Sequence, residues 1–145
     1  MTDGERSGVP GWYWAVALLA LLWEGFGCWS YISWVTMDAA TLAAMPAGER
    51  DMWLAMPPWL TGVFAIAVWV GLAGAVALLM RRRLARLAFG VSLAAAVVQF
   101  GWIFLTTPIM TTIGPSAALM PAAIIIVGGI WFLFAGAAVK RGWLR

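Results

Sequence analysis

Glu24 and Gln99 are the residues best placed to do chemistry in this 145-residue chain, because each is a polar side chain set deep in an apolar run. Glu24 lies within the stretch from Trp12 to Trp34, where an ionised carboxylate has no water to solvate it. A charge at the centre of a bilayer costs about 2.5–3.5 kcal/mol on insertion scales, so acids at that depth face a bundle interior, find a partner or carry protons. With its proton on, a glutamic acid donates one hydrogen bond and accepts others, which suits an amide partner. At 1.5 Å of rise per residue Glu24 falls roughly 18 Å past Trp12 and Gln99 about 20 Å past Arg86, so the two are expected at one depth. Helical spacing puts Ala17, Ala20, Glu24, Gly27 or Cys28, and Tyr31 on one face. It puts Ser92, Ala95 or Ala96, Gln99, Trp102 or Ile103, and Thr106 on another. Small and polar residues mixed in this way pack against protein rather than lipid. The candidate binding set is therefore Glu24, Gln99, Tyr31 and Ser92, with Trp23 and Trp102 as aromatic walls for a small solute or a proton-carrying site. A plain helix-to-helix clip and a subunit interface stay open as other uses of the same pair.

Other chemistries lack their residues. The chain has no histidine and one cysteine, Cys28, which removes the usual ligand sets for zinc, copper and haem, histidine-dependent triads and any intrachain disulfide. No glycine-rich phosphate loop is present, and no second acid or base stands in the spans to share proton transfer with Glu24. Neither a metal, a cofactor nor a catalytic residue is expected, and the chain does not read as an enzyme.

The elements that must hold Glu24 and Gln99 are set by composition. Hydrophobic residues make up 64% of the chain and charged residues 10%, and mean hydropathy is +0.93. Such a chain cannot hide its apolar surface in water, and four runs reach spanning length: about 12–34, 59–80, 84–106 and 117–139. An all-α, four-helix transmembrane bundle in a single membrane domain follows, with a short amphipathic helical outer loop over 35–58. All cations except Arg50 fall on one side: Arg6 before the first span, Arg81, Arg82, Arg83 and Arg86 at the second turn, and Lys140, Arg141 and Arg145 in the tail. The positive-inside rule then makes both termini cytoplasmic. The basic pI of 9.8 reflects topology and anionic headgroups rather than nucleic acid. The leader, with Asp3 and Glu5 beside Arg6, lacks a positive n-region, and a cleaved signal peptide is not expected.

In the outer loop Asp38 is placed to cap a short turn through Met45, and Pro46 to start a second segment that stops before Pro57 and Pro58. Met52, Trp53 and Met56 give that segment an apolar face, fit either for lying on the membrane or for covering an entrance. Of eleven tryptophans, Trp12, Trp14 and Trp143 suit an inner interfacial belt and Trp34, Trp53 and Trp59 an outer one. Trp23, Trp29, Trp69, Trp102 and Trp131 lie within the spans. Ala67, Gly71 and Ala75 in the second span, and Ala122, Gly129 and Gly136 in the fourth, form small-residue faces that read as scaffold.

The segments LLWEGFG at Leu21–Gly27, MPPWLTGVFAIAVWVG at Met56–Gly71, LLMRRR followed by AFGVSL, Gln99, GPSAALMP at Gly114–Pro121 and the RGWLR tail resemble a family of small four-span bacterial inner-membrane proteins. The family is of the alphaproteobacterial type, and some members are loosely named sugar transporters. The resemblance implies a multi-pass inner-membrane protein, with members often carrying asparagine where this chain has Glu24. Small multidrug exporters, also four-span with an acid in the first span, are similar only by analogy: this chain is longer, and its charge bias opposes dual topology. The expected function is small-solute transport, of a sugar or another weakly polar molecule, with homo-oligomer formation expected for so small a chain. The competing class is an assembly or accessory protein that binds another membrane protein.

Overall fold

A computed structural model of the protein describes residues 8–145, and the acidic leader with Asp3, Glu5 and Arg6 lies outside the described residues. Helices are α1 (Gly11–Val35), α2 (Ala39–Ala44), α3 (Ala47–Leu54), α4 (Pro58–Leu79), α5 (Leu84–Thr106), α6 (Ile109–Thr112) and α7 (Leu119–Lys140), the last entered through a 3-10 turn over Pro115–Ala118. No strand occurs among the described residues. Four of these elements, α1, α4, α5 and α7 with its entering turn, are long and apolar enough to cross a membrane. The chain is an all-α, multi-pass membrane bundle.

The helices pack in chain order, α1 on α4, α4 on α5 and α5 on α7, as short connections between antiparallel neighbours require. The buried face of α1 is Tyr13, Ala17, Ala20, Glu24 and Cys28, which matches the predicted stripe from Ala17 to Cys28, adds Tyr13 and leaves Tyr31 only half-buried. Small residues bring α4 close to both neighbours. A Cβ at Gly74 would lie 3.1 Å from the Phe89 ring on α5, and one at Gly27 would lie 3.3 Å from Val68 on α4. In α7 the contact with α5 runs through Gly128, where a Cβ would meet Leu93 at 3.2 Å, and not through Gly129, which has open space beside it. Ala122 is exposed, so only Gly136 of the small face expected on this helix turns inward.

The dense part of the core lies at the arginine end. Tyr13, Ala17, Leu78, Ala85, Phe89, Ala135, Ala138, Trp143 and Leu144 form one buried cluster. Both helices that end there close with a Schellman motif, which satisfies their last carbonyls. In α4 the N–H of Arg82 donates to Ala77 O at 2.8 Å and that of Arg81 to Leu78 O at 3.0 Å; in α7 the N–H of Trp143 donates to Ala138 O at 2.9 Å and that of Gly142 to Val139 O at 3.1 Å. The left-handed position is Gly142 in one motif and Arg81, at φ 56°, in the other. A non-glycine residue there is disfavoured by about 1–2 kcal/mol. Arg81 offsets this by donating from Nε to Trp143 O at 2.8 Å.

The tail then folds across this turn. Arg145 N–H donates to Arg81 O at 2.7 Å, Arg83 N–H donates to Arg145 O at 3.0 Å, and the Tyr13 hydroxyl donates to Leu78 O at 2.6 Å. Trp143 is thereby a buried plug against Tyr13 and Trp12, where a belt position was expected. Trp12, Trp14 and Trp59 remain half exposed, while Trp34 and Trp53 pack together at 5.4 Å with their rings tilted by 45°.

The loop after α1 is built as its turn residues demand. Asp38 accepts from the Thr41 N–H at 2.7 Å and caps α2, and Pro46 opens α3. A Cβ at Gly48 in α3 would fall 2.8 Å from Thr112 in α6, so the two outer loops meet.

Leu144 is 1% exposed at the centre of the plug, and Leu144→Ala is expected to lower stability by about 2–5 kcal/mol. Dodecyl sulfate unfolding titrations check this, and an unchanged midpoint would mean that the tail is not packed. The backbone N–H of Thr41, then its side chain, hold the Asp38 carboxyl below the usual aspartate range. The cap is therefore present above the ordinary aspartate pKa and is lost as pH falls through the depressed value. Protection of the Thr41 amide, its exchange compared with that of an unstructured peptide at the same pH, is expected to fall across that acid step and to be low at every pH in Asp38→Ala.

Candidate functional site

Away from the arginine end the bundle is hollow. A cavity of about 440 Å³ lies among α1, α4, α5 and α7, within the size range of small-molecule pockets. Its floor is Glu24, Ala67, Val68, Ser92 and Gly128, and its rim is Trp34, Met56, Ile109 and Met120.

Glu24 is 8% exposed and lines this space. Its carboxyl fits because residue 71 has no side chain: a Cβ there would overlap the Glu24 carboxyl and stand 2.9 Å from Ser92 Oγ. Gly71 thus does more than scaffold work, for it makes room for the acid where α1 crosses α4. The Ser92 hydroxyl lies beside the acid but donates to Ala67 O at 2.5 Å. Among the described residues no hydrogen bond to the Glu24 carboxyl is present, since the nearby polar hydrogens of Cys28 and Ser92 go to Val68 O and Ala67 O. The carboxyl is also not among the fully enclosed polar atoms without a partner, which are the indole nitrogens of Trp53 and Trp131. It therefore keeps a face on the cavity.

Gln99 lines the same cavity without bonding to Glu24, which corrects the expected direct pair. Distance from the start of its own span gives a residue's relative depth only where the spans begin in one plane. Packing instead brings Ser92 level with Glu24 and leaves Gln99 about two turns, roughly 10 Å, further along α5. The remaining expectations divide. Trp23 lines the cavity. Tyr31 stands apart from it, edge-on to Phe64 at 5.3 Å and to Trp69 at 6.4 Å. Trp102 packs edge-on against Trp59 at 6.1 Å, also outside the lining.

The walls that residue typing did not single out are Phe26, Phe64, Phe100 and Ile124, with Ser30 and Thr61 as extra hydroxyls. In sequence the four apolar residues are ordinary positions of a membrane span and the two hydroxyls lie near span ends, and the separation of α1 from α7 makes them a lining. Beyond the closed end those two helices do not form an extended contact; they meet through Trp12 and Tyr13 against Phe134.

The arrangement can bind one small, largely apolar molecule, offer it a carboxyl at the floor and an amide midway, and exclude bulk water from the acid. Compared with family models, with curated proteins and with solved structures, the chain matches none.

A double-mutant cycle tests the seating of the acid. Gly71→Ala is expected to cost about 1–3 kcal/mol in the wild type and clearly less beside Glu24→Ala, a coupling of about 1 kcal/mol or more. Equal costs in the two backgrounds would mean that the carboxyl does not occupy the space at Gly71.

Proposed function

We propose that this protein is a small-solute transporter of the bacterial inner membrane, with Glu24 as the polar contact of its binding cavity. The observation that carries the reading is an acid 8% exposed, at mid-span, opening onto a cavity of about 440 Å³. Stability alone is a weak reason to keep an ionisable group there, since hydrogen bonds between transmembrane helices average only about 0.6 kcal/mol. Gln99 and Thr61 line the way from floor to rim and supply further hydrogen-bonding groups to a guest.

The termini and the arginine turn face the cytoplasm in this reading. Arg81, Arg82, Arg83 and Arg86 gather with Lys140, Arg141 and Arg145 at one end of the bundle, and positive charge marks the cytoplasmic side. The cavity mouth then faces outward, beneath α3 and α6. The lid reading of the outer loop gains support from Met56 at the rim and from the meeting of the two loops at Gly48 and Thr112.

Proteoliposome uptake of labelled monosaccharides and of their short-chain alkyl glycosides tests the proposal. Uptake above protein-free vesicles is expected for at least one of them. It should fall about tenfold or more in Glu24→Gln, the scale of one lost hydrogen bond to the carboxyl, and persist in Leu22→Ala, whose side chain is exposed on the lipid side. Uptake that is absent, or equal in Glu24→Gln, would overturn it.

A further inference from the structure

We infer that the cavity takes its guest sideways from the outer half of the bilayer, through the slot between α1 and α7, and that the guest is a single-chain amphiphile with a hydroxyl-bearing, uncharged head. The inference rests on the cavity being a binding site, as proposed above, and adds the route and the class of molecule.

Two residues show where the cavity opens. Phe26 and Met120 both line it, yet they are 50% and 54% exposed. Phe26 lies near the middle of α1, a helix long and apolar enough to span the membrane. Its exposed surface is therefore at hydrocarbon depth and meets acyl chains instead of water. On the opposite edge α7 presents Met120 and Ile124, and the deep end stops at Gly128 against Leu93. On the water side α3 and α6 are in contact, and Trp53 packs against the rim residue Trp34 at 5.4 Å, its ring tilted by 45°. A molecule already dissolved in the bilayer needs to displace neither loop.

The lining states what such a molecule looks like. Phe26, Phe64, Phe100, Ile124 and Met120 suit an apolar body. Glu24, more than nine-tenths buried and without a hydrogen-bond partner among the described residues, suits a hydroxyl that donates to it. A free sugar is a poor match, because most of its hydroxyls would lie against carbon and lose their hydrogen bonds to water.

Photolabelling of the full chain, reconstituted singly in phosphatidylcholine nanodiscs, tests route and class together. The probes are dodecanol and butanol, each bearing the same diazirine near its hydroxyl end. Dodecanol is expected to label Phe26, Ile124 and the floor around Gly128. That labelling should fall about tenfold in Glu24→Leu while labelling of the lipid-facing residues Leu18 and Leu22 stays unchanged, which also shows that the variant is folded. Butanol is expected to label the floor far more weakly. Floor labelling by butanol equal to that by dodecanol would overturn lateral entry and leave the cavity as a site filled from water. Dodecanol labelling confined to the lipid-facing residues would overturn the binding cavity and this inference together. Cross-linking between two copies of a Phe26→Cys variant in larger discs, with loss of floor labelling there, would mean that a second copy fills the slot, and would overturn the inference.

Discussion

A carboxyl group in the middle of a membrane helix must have somewhere to go, and the position of Gly71 provides it. The absent side chain on α4 leaves a recess the size of the Glu24 carboxyl, beside the Ser92 hydroxyl. The neighbouring contacts are compatible with this recess: Ala67 and Ala75 lie on the same buried face of α4, and Gly27 and Ala20 let α1 approach it. Were α1 pushed away, the acid would lose its recess and turn to hydrocarbon, at the high cost that an intramembrane charge carries. The crossing of α1 and α4 is thus constrained by chemistry as well as by packing.

From that crossing the bundle divides into two unlike halves. Towards the arginine turn, aromatic and small residues pack into one cluster and the tail bonds across the chain reversal. Away from it, α1 and α7 diverge and leave a hollow whose walls are side chains that would otherwise meet each other. Membrane helices gain little hydrophobic drive from touching, because lipid is as apolar as leucine. Divergence without a packed partner is therefore tolerable in this setting, where it would collapse in a water-soluble bundle.

Much of the frame is legible in residue types. Hydropathy and length give α1, α4, α5 and α7 nearly to the residue, since a backbone in lipid has almost no alternative to the helix, and the stripe through Ala17, Ala20, Glu24 and Cys28 follows from helical period alone. What period does not supply is the axial offset between helices. Gln99 was expected level with Glu24, but the offset set by packing gives that place to Ser92. Nor does local spacing say which small residues meet a neighbour. Gly71, Gly128 and Gly129 look alike in the chain, yet one admits a carboxyl, one meets Leu93 and one faces open space. Trp143 is equally instructive: a tryptophan after a charged helix end fits a membrane belt, and only the Schellman turn at Gly142 sends it inward.

The tail that lies across the arginine turn has a kinetic consequence. To open that end, the bonds joining Arg81, Arg83 and Arg145, the Tyr13 hydroxyl bond and the edge-on aromatic contacts of Trp143 would have to yield in concert. Among the described residues the other end has side-chain contacts between its two connections but no backbone hydrogen bond joining them. The two ends of the bundle therefore differ in what it takes to part their helices, and local opening is expected first at the end away from the tail.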